Sequence, residues 1–260
     1  MKPSYRSLGM LVLALAVVLG AGLAGYAVVQ ARAQGGESRQ YLAPVQPPKS
    51  SSAPQATHKR WSVGKAIGPV TVFTRPDENA PVKAKLGKTT ESGYPTLVLV
   101  DTVRTVEEVI WYRVWLAILP NGSRGWVREG QLGFFTTSSK IVIDLSERSL
   151  TVYRRGREID TFVVAVGRPG LETPTGFYFI NQKLRPPSPG GPYGVLALGI
   201  SAFQPKLPDW PQGGPVAIHG TNEDRLIGKA VSHGCVRMHD KDVLEVNRLV
   251  PAGSPVVIQR

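Results

Sequence analysis

The chain has 260 residues, of which 42% are hydrophobic and 19% charged, with a formal net charge of +12 and one cysteine. This apolar content excludes a chain that is disordered throughout, and the length allows about two modest domains behind an N-terminal segment. One cysteine excludes an internal disulfide, while the charge favours an anionic surface or polymer as partner. We expect no nucleic-acid partner, because the sequence has no zinc finger, RNP motif or base-reading helix.

The first 33 residues predict the compartment. Residues 8–29 contain no charged side chain, and at ~1.5 Å per residue a helix of that length crosses a bilayer core of ~30 Å. Lys2 and Arg6 precede this run, which predicts a cytoplasmic N-terminus and export of everything downstream. We therefore expect an exported cell-envelope protein. It is either anchored in the cytoplasmic membrane by a transmembrane helix over 8–29 or released by signal cleavage near Ala33.

The segment 34–60 is rich in Pro, Ser, Gln and Ala and has almost no apolar periodicity. This composition predicts a disordered linker that holds the folded part away from the membrane.

The segment 61–136 predicts a small all-β domain. Turn signals such as Pro120-Asn121-Gly122 separate its short β-rich runs, which cover 70–73, 96–100, 111–116 and 126–127. The segments 71–76, 111–114 and 121–127 resemble those of bacterial SH3-like domains, which often accompany cell-wall enzymes. The resemblance implies a small β-barrel that either binds the cell wall or serves as a spacer or docking domain, and both roles stay open. Because of the net charge of the chain, anionic cell-wall polymers are possible partners.

The segment 138–260 predicts a second, mainly β domain with one short helix. Strands are expected at 141–145, 150–153, 161–166, 176–180, 195–200, 216–219 and 256–258. Apolar spacing predicts a helix that begins near Asp240 and is stopped by Pro251 and Gly253. The segment 184–192 is rich in Pro and Gly and predicts a loop that covers a site.

The residues most suited to chemistry lie between His219 and Arg237. An ordinary thiol has a pKa of ~8.5, so a catalytic Cys235 needs a base or a cation beside it. His219 follows an apolar run, and His233 stands two residues before the cysteine, so either histidine can serve. Gly234 lets the backbone approach a substrate, and the neighbouring amides can bind an oxyanion.

Two other interpretations of these residues stay open. His219, His233, Cys235 and His239 are residue types that bind zinc, but the paired Cys-x-x-Cys or His-x-x-x-His spacing of zinc sites is absent. A buried, inert thiol with structural histidines is the second alternative. We expect no metal.

The segment from about 140 to 258 resembles the catalytic domain of the L,D-transpeptidase family, also called the YkuD family. The matching blocks are the strand and turn at 141–146, Thr173-Pro174-Thr175-Gly176, Gly191-Pro192-Tyr193-Gly194, 197–201, Ile218-His219-Gly220-Thr221 and Ser232-His233-Gly234-Cys235-Val236-Arg237. The resemblance implies a β-sandwich-like fold in which Cys235 is the nucleophile and His219 the base. It also implies that His233 and Gly234 shape the catalytic loop and its oxyanion site.

By the same resemblance, four further residues are expected to contact the substrate: Tyr193, Thr221, Ser232 and Arg237. Tyr193 belongs to the covering loop, and Arg237 either holds a substrate carboxylate or forms a structural ion pair. Ser232 either orients a histidine or acts through its backbone carbonyl.

The activity implied by the resemblance is a two-step acyl transfer that forms 3–3 cross-links between peptidoglycan stem peptides. It needs no cofactor and is expected to be sensitive to carbapenems. Three alternatives stay open, namely L,D-carboxypeptidase action, attachment of a protein to the wall, and a wall-binding module without catalysis.

Overall fold

The computed structural model describes residues 60–207 and 214–260. The expected anchor or signal at 1–33 and residues 34–59 of the expected linker lie outside this part of the chain. No helix within the two described ranges is long and apolar enough to cross a bilayer. The described residues form seventeen strands, one α-helix and a single 3₁₀ turn at Asp224–Leu226, which confirms the prediction of a mainly β protein with one short helix.

The first seven strands form one antiparallel sheet in the order β3-β2-β6-β5-β4-β1-β7. Its strands are β1 (Trp61–Ala66), β2 (Val70–Phe73), β3 (Val82–Leu86), β4 (Leu97–Val106), β5 (Val109–Trp115), β6 (Arg124–Arg128) and β7 (Leu132–Thr137). Alternate side chains of these strands form one buried cluster, whose members include Val70, Val72, Val98, Val114 and Val127. The expected turn at 120–122 is present, since the Ser123 amide donates to the Pro120 carbonyl at 3.1 Å. An SH3-like identity for this sheet stays a prediction.

The remaining strands form a mixed eight-stranded sheet in the order β10-β9-β8-β17-β12-β13-β14-β16, beside a parallel pair of β11 and β15. They are β8 (Ser139–Asp144), β9 (Ser149–Arg154), β10 (Arg157–Val163), β11 (Val166–Gly167), β12 (Gly176–Leu184), β13 (Ala197–Gln204), β14 (Gly214–His219), β15 (Ala230–Ser232), β16 (Val236–Arg237) and β17 (Pro255–Gln259). The first part of β12 pairs with β17 and the second part with β13. Strands on both sides of β12 contribute to a single core.

The helix α1 (Asp240–Leu249) packs on this core through residues spaced three apart, namely Val243, Val246 and Leu249. Its C-terminal carbonyls are satisfied from the sheet: Lys183 donates to the Asn247 and Val250 carbonyls, and Arg154 donates to the Leu249 carbonyl. Cations suit the negative end of a helix dipole. These bonds fix the end of α1, and through it the start of the helix beside the catalytic residues.

The two sheets share a hydrophobic cluster. Val63, Leu97 and Leu99 of the first sheet are buried together with Phe179 of β12. Gly253 lies against Val63 at a φ of +84°, where a Cβ would be strained and would overlap the valine side chain. The first sheet therefore rests directly on the catalytic segment, and glycine is required at the closest approach.

Candidate active site

The loop that carries Cys235 is held by strands on two sides. The short strand β16 follows the cysteine and pairs in parallel with β14, which sets His219 opposite Arg237. On the other side Ala165 and Arg237 exchange both backbone hydrogen bonds, at 2.9 and 2.8 Å. Cys235 thus lies directly before a strand that pairs with the one ending at His219, so two residues that are 16 positions apart lie on neighbouring segments.

Ser232 and Gly234 build the turn before Cys235. The Ser232 hydroxyl donates to the Cys235 carbonyl at 2.5 Å and accepts from the Gly234 amide at 3.1 Å. Gly234 has a φ of +119°, a conformation that suits glycine. Ser232 is fully buried, so the structure places its hydroxyl inside the loop and away from any substrate surface. Its role in this geometry is to shape the turn.

His219 is oriented as a base. Its Nδ1 lies 2.5 Å from the Gly220 carbonyl oxygen, which can only accept a hydrogen bond. Nδ1 must therefore carry the proton, which leaves Nε2 free to accept one. Burial lowers the pKa of His219 to about 4, against an opposing contribution from the Gly220 carbonyl, and the positive charge of Arg237 lowers the pKa further. His219 is thus a neutral imidazole at neutral pH.

The Cys235 thiol is also neutral at rest. Burial raises its pKa, although the Ala217 amide and the Arg237 charge act in the opposite direction. The residue keeps part of its surface accessible. A thiol with a raised pKa beside an imidazole with a lowered one does not form a stable thiolate–imidazolium pair. A neutral imidazole of this kind is suited to accept a proton from a thiol as the sulfur attacks, which is the task of a general base.

Arg237 lies beside both groups and is only 16% exposed at its side chain. Its Nη1 is 3.5 Å from Glu223 Oε2, and its Nε has no hydrogen-bond partner within the two described ranges. Arg237 thus forms an ion pair with Glu223, which is one of the two roles that the sequence left open for it. The long distance of this pair leaves the Nη groups with hydrogen-bonding capacity for a substrate carboxylate, whereas the buried Nε is out of reach of a ligand.

Tyr193 covers the catalytic histidine from the expected loop. Its ring centroid lies 4.9 Å from that of His219 with an interplanar angle of 59°, and the residue is 52% exposed. The loop is tied down where Asn222 donates to the Gly190 carbonyl at 3.0 Å. Tyr193 therefore forms part of the wall that a substrate meets on its way to His219.

Asp240, a residue that the sequence did not indicate as functional, links the covering loop to the catalytic histidine. Its Oδ1 accepts from the Val195 amide at 3.1 Å. A Cβ on either Gly194 or Gly220 would overlap this same oxygen. The carboxylate thus fits between the residue that follows Tyr193 and the residue whose carbonyl orients His219. The sequence did contain one sign of this close approach, because Gly194 and Gly220 both lie in the motif blocks.

His233, Thr221 and His239 differ in their surroundings. His233 is exposed. Thr221 is buried, and its hydroxyl accepts from the Glu223 amide at 3.1 Å, which orders the segment after the histidine. His239 Nδ1 lies 2.8 Å from Asp224 Oδ1. Within 60–207 and 214–260 no three His, Cys, Asp or Glu residues are grouped as metal ligands.

Comparison with known proteins identifies the family. The family model for the YkuD L,D-transpeptidase catalytic domain matches residues 138–258. The protein named L,D-transpeptidase YkuD of Bacillus licheniformis is 41% identical over 124 residues, which cover 47% of this chain and 67% of that protein. The chain belongs to the L,D-transpeptidase family. The protein of the same name in Bacillus subtilis is 40% identical over 127 residues, covering 48% of this chain and 69% of the relative.

The solved structure of an L,D-transpeptidase from Mycobacterium tuberculosis has a TM-score of 0.43 and 20% identity, and the match covers 64% of this chain and 90% of that one. The family assignment confirms the resemblance that the motif blocks between 140 and 258 indicated. L,D-transpeptidases are acyltransferases that act on peptidoglycan stem peptides.

Proposed function

We propose that this L,D-transpeptidase forms 3–3 cross-links through a thioester on Cys235, with His219 as the general base. The observation that carries the proposal is the hydrogen bond from His219 Nδ1 to the Gly220 carbonyl, on the strand beside the cysteine. It leaves Nε2 as the free proton acceptor on a strand that pairs with the one directly after Cys235, the only cysteine of the chain. The N-terminal apolar segment supports a site of action in the cell envelope.

In the first step the sulfur attacks the carbonyl between a diaminopimelate-type residue at stem position three and the terminal D-alanine. His219 takes the thiol proton and passes it to the amine of the leaving D-alanine as the C–N bond breaks, which gives the thioester. In the second step the side-chain amine of a neighbouring stem attacks the thioester. His219 takes its proton and returns it to the sulfur, so no proton is gained or lost overall.

The oxyanion formed in each step needs hydrogen-bond donors. The Gly234 amide already donates to Ser232, so Gly234 contributes its conformation. The Cys235 amide has no partner among the residues that the structure describes, and it lies next to the attacked carbon by covalent geometry. We assign it as an oxyanion donor. Arg237 supplies further positive charge beside both catalytic groups.

The test uses the full-length chain in detergent with a carbapenem and, separately, with a stem tetrapeptide. Intact-mass spectrometry is expected to show one covalent carbapenem adduct, since a strained lactam carbonyl traps the attacking sulfur. Cys235→Ala should give no adduct, and His219→Gln should form it at least about a hundredfold more slowly, a typical loss for a missing general base.

Tetrapeptide incubation should release D-alanine and give a cross-linked dimer. Folded wild-type protein that gives neither adduct nor dimer contradicts the proposal. D-alanine release without a dimer assigns the enzyme to L,D-carboxypeptidases instead, because water then replaces the acceptor amine.

A further inference from the structure

A turn of the first sheet is bonded to a strand of the catalytic segment. Asn121 lies in the turn that connects β5 to β6. Its Nδ2 donates to the Phe203 carbonyl at 2.7 Å, and its Oδ1 accepts from the Phe203 amide at 2.9 Å. One side-chain amide thus satisfies both backbone groups of one residue, in the manner of a neighbouring strand.

Phe203 needs this external partner because the ladder around it is interrupted. The register of β13 against β14 shifts between Gly199 and Phe203, and the partner of Phe203 is Pro215, which has no N–H to donate. On the opposite side the pairing of β13 with β12 ends at Ile200. Buried backbone groups that lack partners are costly, so Asn121 stabilises the position of β13 where the sheet does not.

Gln204 connects Phe203 to the catalytic loop. It is 3% exposed, and its Nε2 donates to the Glu172 carbonyl at 2.6 Å. A Cβ built on Gly234 would lie 3.2 Å from Gln204 Cβ and 3.3 Å from its Cγ, so Gly234 packs directly against this side chain. Gln204 is the next residue in the chain after Phe203. A displacement of Phe203 therefore moves the surface on which the turn before Cys235 rests.

We propose that Asn121 is a positioning residue for acyl transfer to Cys235. It lies in the first β domain, so that domain completes the support of the catalytic loop and is more than a spacer. The inference rests on the proposed function of Cys235, and its path runs from Asn121 to Phe203, along the chain to Gln204, and across to Gly234. A misplacement of a reacting group by about 1 Å can cost up to 10²-fold in rate, so a modest displacement is enough to be measured.

The first experiment compares two variants of the full-length chain in detergent. Asn121→Ala removes the two bonds to Phe203. Thr90→Val is the control, since it removes the hydrogen bond from Thr90 Oγ1 to Gln182 Oε1 at 3.1 Å, which leads to β12, and the bond that Thr90 Oγ1 accepts from the Tyr94 amide at 3.2 Å. The maximal rate of carbapenem acylation should fall about tenfold in Asn121→Ala and stay within about twofold of wild type in Thr90→Val. The carbapenem concentration that gives half of the maximal rate should change little in either variant. Thermal melts establish that both variants are folded at the assay temperature.

A second variant gives a signature that lost stability alone does not produce. In Asn121→Asp, a protonated carboxyl group can donate to the Phe203 carbonyl and accept from the Phe203 amide, as asparagine does, but an ionised carboxylate can only accept. The nearby Phe203 carbonyl disfavours the ionised form and so raises the pKa of this carboxyl above its ordinary ~3.9. The acylation rate of this variant relative to wild type should therefore fall as pH rises from 4.5 to 7.5. The relative rate of Asn121→Ala should be constant over that range.

Hydrogen exchange of the amides in 232–237 separates this inference from the proposed function, because it needs no acyl transfer. We expect faster exchange there in Asn121→Ala than in Thr90→Val. If the two variants exchange equally while wild type acylates, the positioning inference is wrong and the proposed function stands. If wild type fails to acylate while Asn121→Ala alone loosens the loop, the proposed function is wrong and the role of Asn121 in acyl transfer falls with it, and only the structural path from Asn121 to the loop stands. Equal acylation rates in Asn121→Ala and wild type also overturn the inference.

Discussion

The pH dependence of Cys235 acylation tests the protonation states derived for the site. With a His219 pKa of about 4, roughly 90% of the imidazole is neutral at pH 5, whereas an ordinary pKa of ~6.5 leaves only about 3%. The two cases differ about 30-fold in the amount of active base at pH 5. We therefore expect the maximal acylation rate to be nearly constant from pH 8 down to pH 5 and to fall with a midpoint near 4. Stopped-flow measurement of carbapenem absorbance gives this rate directly.

His239→Gln is the control, because His239 pairs with exposed Asp224 and does not touch the thiol. It should leave the profile unchanged. A fall with a midpoint near 6.5 in wild type would refute the assignment of His219 as a buried neutral base.

The same pKa also predicts a loss of stability in acid, since the unfolded chain binds a proton at His219 below pH ~6.5 and the folded chain only below about 4. Protonation of His219 in the unfolded chain should lower the free energy of unfolding by about 3 kcal/mol at pH 4. The measurement is the difference in unfolding free energy between wild type and His219→Gln, which should narrow as the pH falls.

Substitutions at three positions test the supports of the site. Asp240→Ala should lower carbapenem acylation about tenfold because the Val195 amide loses its acceptor, whereas Asp240→Asn keeps an oxygen acceptor and should retain most of the rate. Equal losses in both would contradict a hydrogen-bonding role. Ser232→Ala leaves a buried amide without a partner and should cost ~1–3 kcal/mol in urea unfolding together with slower acylation, so an unchanged midpoint would refute its role in the turn. Gly253→Ala should cost ~2–4 kcal/mol, because strain at positive φ adds to the overlap with Val63, and unaltered stability would show that the sheets are not packed as described.

The sequence predicted those strands whose residues alternate clearly between apolar and polar or form apolar runs. Runs such as 150–153 and 216–219 correspond to β9 and β14, and the helix was expected where α1 lies. It missed β3, whose sequence Val-Lys-Ala-Lys-Leu sits at the edge of the first sheet with little burial. An edge strand needs only a weak apolar pattern, because half of its surface stays in water. The expected covering loop also began too early, since β12 extends to Leu184.

Cys235 and His219, the pair proposed to be catalytic, could be selected from the sequence because each lies in a contiguous motif block, but the residues that support them could not. Asp240 contacts Val195 across 45 positions, and Asn121 contacts Phe203 across 82. No local sequence pattern around either residue indicates that it has such a distant partner. The direction of the pKa shifts was also beyond the sequence, because desolvation of His219 depends on packing from several strands.

The need for these distant supports follows from where the cysteine lies in the sheet. β16 has only two residues and is the last strand of the eight-stranded sheet, so the loop before it begins beyond the ladder. A strand this short gains few hydrogen bonds of its own, and its exact position must be fixed by what surrounds it. Ala165 supplies backbone bonds on one side, while Gln204 supplies the packing surface under Gly234. Because the strand that carries Gln204 is itself tied to the first sheet by Asn121, changes in the first domain should appear in acylation kinetics even where they leave every motif residue intact.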